Sequence, residues 1–253
     1  MKIVVIGGSG RAGAHVVRHL GAQGHEAVAA SRTTGVDAVT GEGLAEVLAD
    51  ADAVVDAANA SVWDDDAVLE YFTTSTRTML AAEREAGVGH HLALTIVGAD
   101  RVPDSGYMRA KVAQEAEIEA GAVPYSILRT TQFFEFLGVI AEAVADGNGV
   151  RLSTGLIQPV AADEVGATMA ELAAGAPVGG RVELGGPEAL PIDDWARRLF
   201  AATGDDRAVV SDPRARYFGT ELGGGELTPG AGARLGATDF DAWLATQAHR
   251  AGR

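Results

Sequence analysis

The chain opens on a short β-branched run, Lys2-Ile3-Val4-Val5-Ile6, and passes directly into Gly7-Gly8-Ser9-Gly10-Arg11-Ala12-Gly13. Glycines at positions 7, 10 and 13, set between a strand and a helix, constrain the fold more than any other feature of the 253 residues. A strand that turns sharply needs glycine at position 7. A phosphate approaching the main chain needs no side chain near Gly10, and a helix packed closely against the sheet needs Gly13. The pyrophosphate of a dinucleotide would then lie at the positive end of a helix starting at Arg11. The alternative, a strand-to-helix turn that binds nothing, accounts less well for three glycines in this context.

Up to about Arg129, short β-branched runs alternate with longer helical patterns, which predicts a parallel sheet covered by helices on both faces. Strands are expected at 2–6, 26–31, 53–56, 91–96 and 124–128, with a weaker one near 36–39. A helix over 11–21 would put Val16, Val17 and Leu20 on one face, with Gly24 turning the chain into the second strand. Another is expected over 43–48. A long helix starts at Asp64-Asp65-Asp66, whose charges suit a helix N-terminus, turns Val68, Leu69, Phe72, Met79 and Leu80 inward, and ends near Gly87. After Arg129 come Thr130-Thr131-Gln132-Phe133-Phe134, an apolar helix to about 145, and shorter glycine-rich segments. The fold class expected is α/β, a Rossmann-type doubly wound parallel sheet with a small C-terminal substrate lobe. Without a Pro/Ser linker, a low-complexity tract or a repeat, 1–253 reads as one domain, with 1–130 as dinucleotide-binding core and 131–253 as mainly substrate lobe.

A formal net charge of −15 argues against a nucleic-acid surface, which needs a basic stripe. With no cysteine there is no thiolate nucleophile or thiolate metal site, so redox chemistry needs a bound cofactor. The apolar run at the N-terminus is too short for a signal peptide and no later run spans a bilayer, so a cytoplasmic location without a membrane partner is expected. The alanine- and glycine-rich composition, with Lys2 and Lys111 the only lysines, suggests a GC-rich bacterial genome.

The second strand ends Ala30-Ser31-Arg32, where NAD-specific sites usually carry an acid for the ribose 2′-hydroxyl. A guanidinium there suits a 2′-phosphate, and Arg11 offers a second cation, so NADPH (NADP) is expected over NADH. Asp37 follows too late to serve as the ribose acid. Further on, Tyr107-Met108-Arg109-Ala110-Lys111 would place a tyrosine and a lysine on one face of a helix that Asp104 or Ser105 can cap. A neighbouring ammonium would lower the phenol's pKa from about 10, fitting it for proton transfer, and would also reach the nicotinamide ribose. Thr95, near a strand end, could offer a hydroxyl to a substrate carbonyl, or be an ordinary β-branched strand residue.

These residues, with Val54-Val55-Asp56-Ala57-Ala58-Asn59, Leu94-Thr95-Ile96-Val97-Gly98 and Ile127-Leu128-Arg129-Thr130-Thr131-Gln132-Phe133-Phe134, carry a resemblance. The chain resembles the short-chain dehydrogenase/reductase family in its atypical, NmrA-like branch, over nearly its whole length and most specifically over 1–136. The resemblance implies that Gly7, Ser9, Gly10, Arg11 and Ala12 cradle the phosphates, that Ser31-Arg32 meets the 2′-phosphate, and that Ala57, Ala58 and Asn59 lie along the adenosine side. It also implies that Thr95, Tyr107 and Lys111 adjoin the nicotinamide. Thr95 stands where catalytic members usually have serine, and the branch includes proteins that bind NADP without clear turnover.

Trp63, Gln132, Phe133 and Phe134 would emerge at the carboxyl edge of the sheet, where ligands bind in open α/β folds, and would suit an apolar or aromatic substrate. Phe136 reads better as core. His15 and His19 read as surface histidines, since no third ligand is evident, and His90-His91 as a solvent-facing pair; no metal is expected. The leading expectation is an NADPH-dependent reductase of a small-molecule carbonyl or related electrophile. Its alternatives are a non-catalytic NADP(H) sensor acting through a protein partner and an isomerase or epimerase that retains its cofactor. The sequence is compatible with a homo-oligomer.

Overall fold

The computed structural model describes residues 1–146 and 149–251. The first half alternates strand and helix: β1 (Lys2–Ile6), α1 (Arg11–Ala22), β2 (Glu26–Ala30), α2 (Leu44–Leu48), β3 (Ala53–Asp56), α3 (Asp65–Ala86), β4 (His90–Ile96), α4 (Gly106–Ala120) and β5 (Tyr125–Thr130). The second half has α5 (Leu137–Glu142), β6 (Ala145–Asp146), β7 (Gly149–Leu152), β8 (Leu156–Ile157), α6 (Ala162–Ala174), β9 (Gly180–Gly185) and β10 (Leu190–Pro191). It continues with α7 (Ile192–Thr203), β11 (Ala208–Ser211), β12 (Arg216–Tyr217), β13 (Thr220–Glu221), β14 (Arg234–Leu235) and α8 (Phe240–Ala251).

Seven strands form the central sheet in the order β14-β9-β5-β4-β3-β1-β2, parallel throughout. The chain runs from β1 outward to β2 and then crosses to β3 on the other side of β1. The reversal opens a crevice at the carboxyl ends of β1 and β3.

Period-two alternation in β1 feeds both covering layers. Ile3 and Val5 pack with Val16 and Leu20 of α1 and Val165 and Met169 of α6, while Val4 and Ile6 pack with Leu44, Leu48 and Met79 under α2 and α3. Each such fully buried aliphatic side chain stabilises the fold by roughly 1.5–3 kcal/mol. From the C-terminal half, α6, β9 and β14 return to this sheet. The remaining segments gather around the fully buried Trp195 with Phe134, Phe240 and Trp243. Among the described residues, no helix is long and apolar enough to cross a membrane.

The structure corrects several local expectations. Residues 36–39 form no strand: Arg32–Thr34 is a 3-10 turn, and the Asp37 carboxylate accepts from the Val39 and Thr40 N–H groups, closing a turn of its own. Leu69 of α3 is turned outward, while Val68, Phe72, Met79 and Leu80 are buried as expected. The apolar helix after Arg129 is shorter than expected and is preceded by a 3-10 turn over Phe134–Phe136.

The histidines also differ from expectation. His90 and His91 lie on β4, an interior strand covered on both faces, so neither meets solvent. His91 Nδ1 is 2.8 Å from Glu83 Oε1, with both side chains fully buried, and His90 Nε2 is 2.9 Å from Ser126 Oγ. Burial opposes charge on His91, but Glu83 outweighs it and raises the imidazole above its usual value. His15 and His19 stand where α1 meets α6, 2.8 and 3.1 Å from Asp163, which Arg18 also approaches.

Candidate active site

The glycine loop is shaped by close backbone contacts. Gly7 has φ +74°, and a Cβ on it would lie 2.8 Å from the Ala57 carbonyl and the Ala58 nitrogen. The turn therefore seats the loop against the segment leaving β3, at the crevice. Gly13 would place a Cβ 2.2 Å from the Gly7 oxygen, so its close approach is to the loop's own backbone and not to the sheet. Gly8, which the glycine spacing passes over, packs equally tightly, 2.7 Å from Val5 O and 2.8 Å from Ala29 Cα by the same measure. No side chain caps α1, its first turn carries no acid, and Ser9 and Gly10 are exposed. An open N-terminus beside a cradle that any Cβ would fill fits a pyrophosphate.

Ser31 and Thr34 bond reciprocally around the turn that begins at Arg32, leaving Arg32 exposed just past β2. Arg11 is directed elsewhere: Nη1 donates to Glu135 O (3.2 Å), and the guanidinium lies 4.8 Å over the Phe136 ring. Its contacts are with the segment after β5, on the opposite side of β1 from β2. The expected joint action of Arg11 and Arg32 on one phosphate is therefore not the arrangement seen.

Helix α4 is capped by Ser105, not Asp104, with the Ser105 hydroxyl accepting from Met108 N. One position into the helix, the Tyr107 hydroxyl donates to Asn59 Oδ1 at 2.8 Å, joining α4 to the segment after β3. Burial pushes the phenol up to about 12, and the bond to Asn59 only partly offsets it. This corrects the expectation that Lys111 lowers it. The Lys111 ammonium runs inward to Leu94 O (2.9 Å) and Gln114 Oε1 (2.5 Å) and lies 4.2 Å from the Phe72 ring centre. Gln114 Nε2 in turn donates to Asp56 Oδ2 at 2.8 Å. Burial lowers Lys111 to about 8, against the pull of Asp56 and Glu115, and raises Asp56 above its usual value.

Thr95 is also turned away from the crevice. Its hydroxyl donates to Glu115 Oε1 (2.7 Å), a fully buried carboxylate that also accepts from Arg129 (2.9 and 2.6 Å) and Arg181 (2.8 Å). Thr95 is 1% exposed, and in this arrangement its hydroxyl is engaged by Glu115.

The aromatic residues divide. Trp63 is 69% exposed, with its ring centre 5.9 Å from that of Tyr107 and 6.4 Å from that of Phe218. Phe133 and Phe134, expected at the cleft, are core: Phe133 packs under α6 by Val160, and Phe134 packs on Trp195, Phe240 and Trp243. Phe136 is half-buried against Phe133 and Arg11. Gln132 Nε2 donates to the hydroxyl of Tyr217, which comes from the β12–β13 hairpin. Tyr217 and Phe218, together with Glu115 and Gln114, are the residues that the sequence reading missed. For the first two the available signal was an aromatic pair immediately before a glycine.

No family model matches the chain. Among curated proteins, the photosystem II assembly factor Ycf39 of Synechocystis sp. (strain ATCC 27184 / PCC 6803 / Kazusa) is 27% identical over 176 residues, which are 64% of this chain and 54% of that protein. The chain thus spans about half the length of this relative. Solved structures with a similar fold include MoeE5 in complex with UDP-glucose and NAD (18% identity, all of both chains, TM-score 0.76). They also include UDP-glucose 4-epimerase of Thermus thermophilus complexed with NAD (19%, covering 99% and 93%, TM-score 0.72). A third is the NADPH-dependent quinone oxidoreductase QOR2 of Escherichia coli complexed with NADPH (18%, covering 83% and 77%, TM-score 0.65). Sheet order, glycine loop and these likenesses agree: the chain has the short-chain dehydrogenase/reductase fold and, as its motifs imply, resembles the family's atypical, NmrA-like branch.

Proposed function

We propose that the chain is an NADPH-dependent oxidoreductase that reduces a carbonyl or related electrophile of a small apolar or aromatic molecule, with Tyr107 as proton donor. The observation that carries this reading is the Tyr107 phenol, tied to Asn59 beside the crevice and pushed up to about 12 by burial. Reduction of a carbonyl adds hydride to carbon and a proton to oxygen. The nicotinamide supplies the hydride when bound. A phenol that keeps its proton at neutral pH can give it to the forming alkoxide and be refilled from solvent, and it is a poor base for the reverse reaction. Lys111 acts as a positioning residue: its bonds to Leu94 and Gln114 brace α4 against β4 beneath Tyr107. The cradle at Gly7, Gly8 and Gly10 would hold the pyrophosphate. Exposed Arg32, with no acid at the end of β2 and with Asp37 closing its own turn, supports NADPH over NADH. The cysteine-free, lysine-poor composition fits a bacterial cytoplasmic enzyme.

A non-catalytic NADP(H)-binding protein that acts through a protein partner is the second reading. It is favoured by the engagement of Thr95 with Glu115 and of Lys111 with Gln114, which leaves the tyrosine without its two expected helpers. The curated relative named as an assembly factor points the same way.

One assay separates these readings: purified protein, NADPH and a panel of quinones, ketones, enones and imines, with the absorbance of the reduced nicotinamide followed over time. Turnover is expected. Tyr107→Phe should reduce it by roughly 10²-fold or more while leaving NADPH affinity within about twofold. Tight NADPH binding without consumption would favour the second reading, and product formation without net consumption an isomerase. Arg32→Ala should weaken NADPH selectively, whereas equal NADPH and NADH affinities in the unaltered protein would refute the role given to Arg32.

A further inference from the structure

The β12–β13 hairpin turns on two residues, Phe218 and Gly219, with φ +44° and +89°. Two-residue hairpin turns with both φ values positive favour asparagine, aspartate or glycine at the first position and glycine at the second, because a β-carbon is strained there. Glycine follows that rule at 219; phenylalanine breaks it at 218. Burial in a core does not account for the ring. Phe218 is 47% exposed and borders a cleft of about 190 Å³ lined by Ile140, Val144, Leu152 and Ile192, so the ring fills no core.

The ring instead faces Trp63, itself 69% exposed, with the two planes only 8° apart and their centres 6.4 Å apart. Trp63 lies against Tyr107 on its other flank. The hairpin is held in place from beneath, because Tyr217, buried and packed edge-on to Phe218, receives the bond from Gln132 at the end of β5. The basic side chains of α4 and of the segment before it are already engaged: Arg109 with Asp65 and Pro103 O, Arg101 with Thr228 O. The wall around Tyr107 is therefore flat, aromatic and without an uncommitted cation from α4.

We infer that Phe218 and Trp63 are the two jaws of a clamp, closed in this structure and opening by a fraction of an ångström to stack a neutral, planar aromatic carbonyl compound between them and seat its oxygen at the Tyr107 hydroxyl. This deepens the reductase reading and rests on it for the chemistry, but the clamp itself is a binding property. The strained position of Phe218 is retained for the ring's location over the site, since local backbone rules would remove it.

The decisive variant is Phe218→Asn, which removes the ring while supplying the residue that the turn prefers. Menadione is the aromatic probe and diacetyl the aliphatic one. Both are titrated calorimetrically into the protein saturated with NADP⁺, so that no turnover is required. Phe218→Asn is expected to weaken menadione roughly tenfold, leave NADP⁺ and diacetyl within about twofold, and leave the melting temperature unchanged or higher. Trp63→Leu should weaken menadione in the same direction. Menadione affinity unchanged in Phe218→Asn, or menadione and diacetyl weakened in parallel, would overturn the clamp. Ring-dependent menadione binding without NADPH consumption would leave the clamp standing and refute the reductase reading. NADPH consumption that is indifferent to Phe218 would do the reverse.

Discussion

Replacing Glu115 by glutamine tests whether the buried cluster behind Thr95 is structural or a catalytic element at rest. Glu115 is fully buried and accepts four bonds, one from Thr95, two from Arg129 and one from Arg181. An amide keeps one oxygen, which can serve Thr95 and one Arg129 nitrogen. The remaining donors of Arg129 and Arg181 would then face an NH₂ group. Arg129 is itself nearly buried and would retain only the exposed Asp100 as a charged partner. Removing one partner of a buried, hydrogen-bonded pair costs about 3–5 kcal/mol, a large share of a domain stability of about 5–15 kcal/mol. At this chain length that corresponds to a fall in melting temperature of roughly 6–20 °C.

Urea unfolding at pH 7 would measure the loss, and its pH dependence carries a sign. Burial alone would raise the Glu115 carboxyl, but bonds from Arg129, Thr95 and Arg181 outweigh it and hold the carboxyl below its ordinary value of 4.5. The stabilisation is therefore complete above that value and is lost as pH falls through the lower folded value. The gap between the natural protein and Glu115→Gln should be widest at neutral pH and close in acid. Thr95→Val removes one bond to the same carboxylate and should cost about 1.5–3 kcal/mol, coupled and not additive with Glu115→Gln. A loss below about 1 kcal/mol for Glu115→Gln would refute the structural role. So would a Thr95→Val protein of full stability whose turnover falls about 10²-fold, because the hydroxyl would then be leaving Glu115 to serve substrate.

Two further outcomes follow from the geometry. Gly13→Ala drives a methyl group into the Gly7 and Gly8 backbone; urea unfolding should show a loss of about 1–3 kcal/mol, and a fluorescence titration should show NADPH binding weakened at least about tenfold, since the displaced loop is the phosphate cradle. Lys111 is lowered by burial from 10.5 to about 8, so the unfolded chain holds more protons between those values and the natural protein gains stability there as pH rises. Lys111→Met should lose this upward slope, by on the order of 3 kcal/mol across the window, in unfolding measured from pH 8 to 10.5.

What could be read from the sequence is what neighbouring residues decide. The glycine loop, the Ser105 cap, the start of α3 at Asp64 and its end at Gly87 depend on contacts within a few positions, and each lies where its residue type requires. The errors occur where a side chain chooses between distant partners. Alternation along β4 could not reveal that both faces of the strand are covered, so His91 appeared to meet water when it meets Glu83, and Thr95 appeared to meet substrate when it meets Glu115. Phe134 leaves β5 at the cleft in sequence order, yet Trp195, Phe240 and Trp243, more than 60 positions later, enclose it. Phe218 presents the opposite case. Its own side chain conflicts with the turn it occupies, and that conflict is invisible until the turn is known. Once it is known, the conflict identifies the residue whose position local preference cannot explain, and the remaining explanation lies across the gap, at Trp63 and Tyr107.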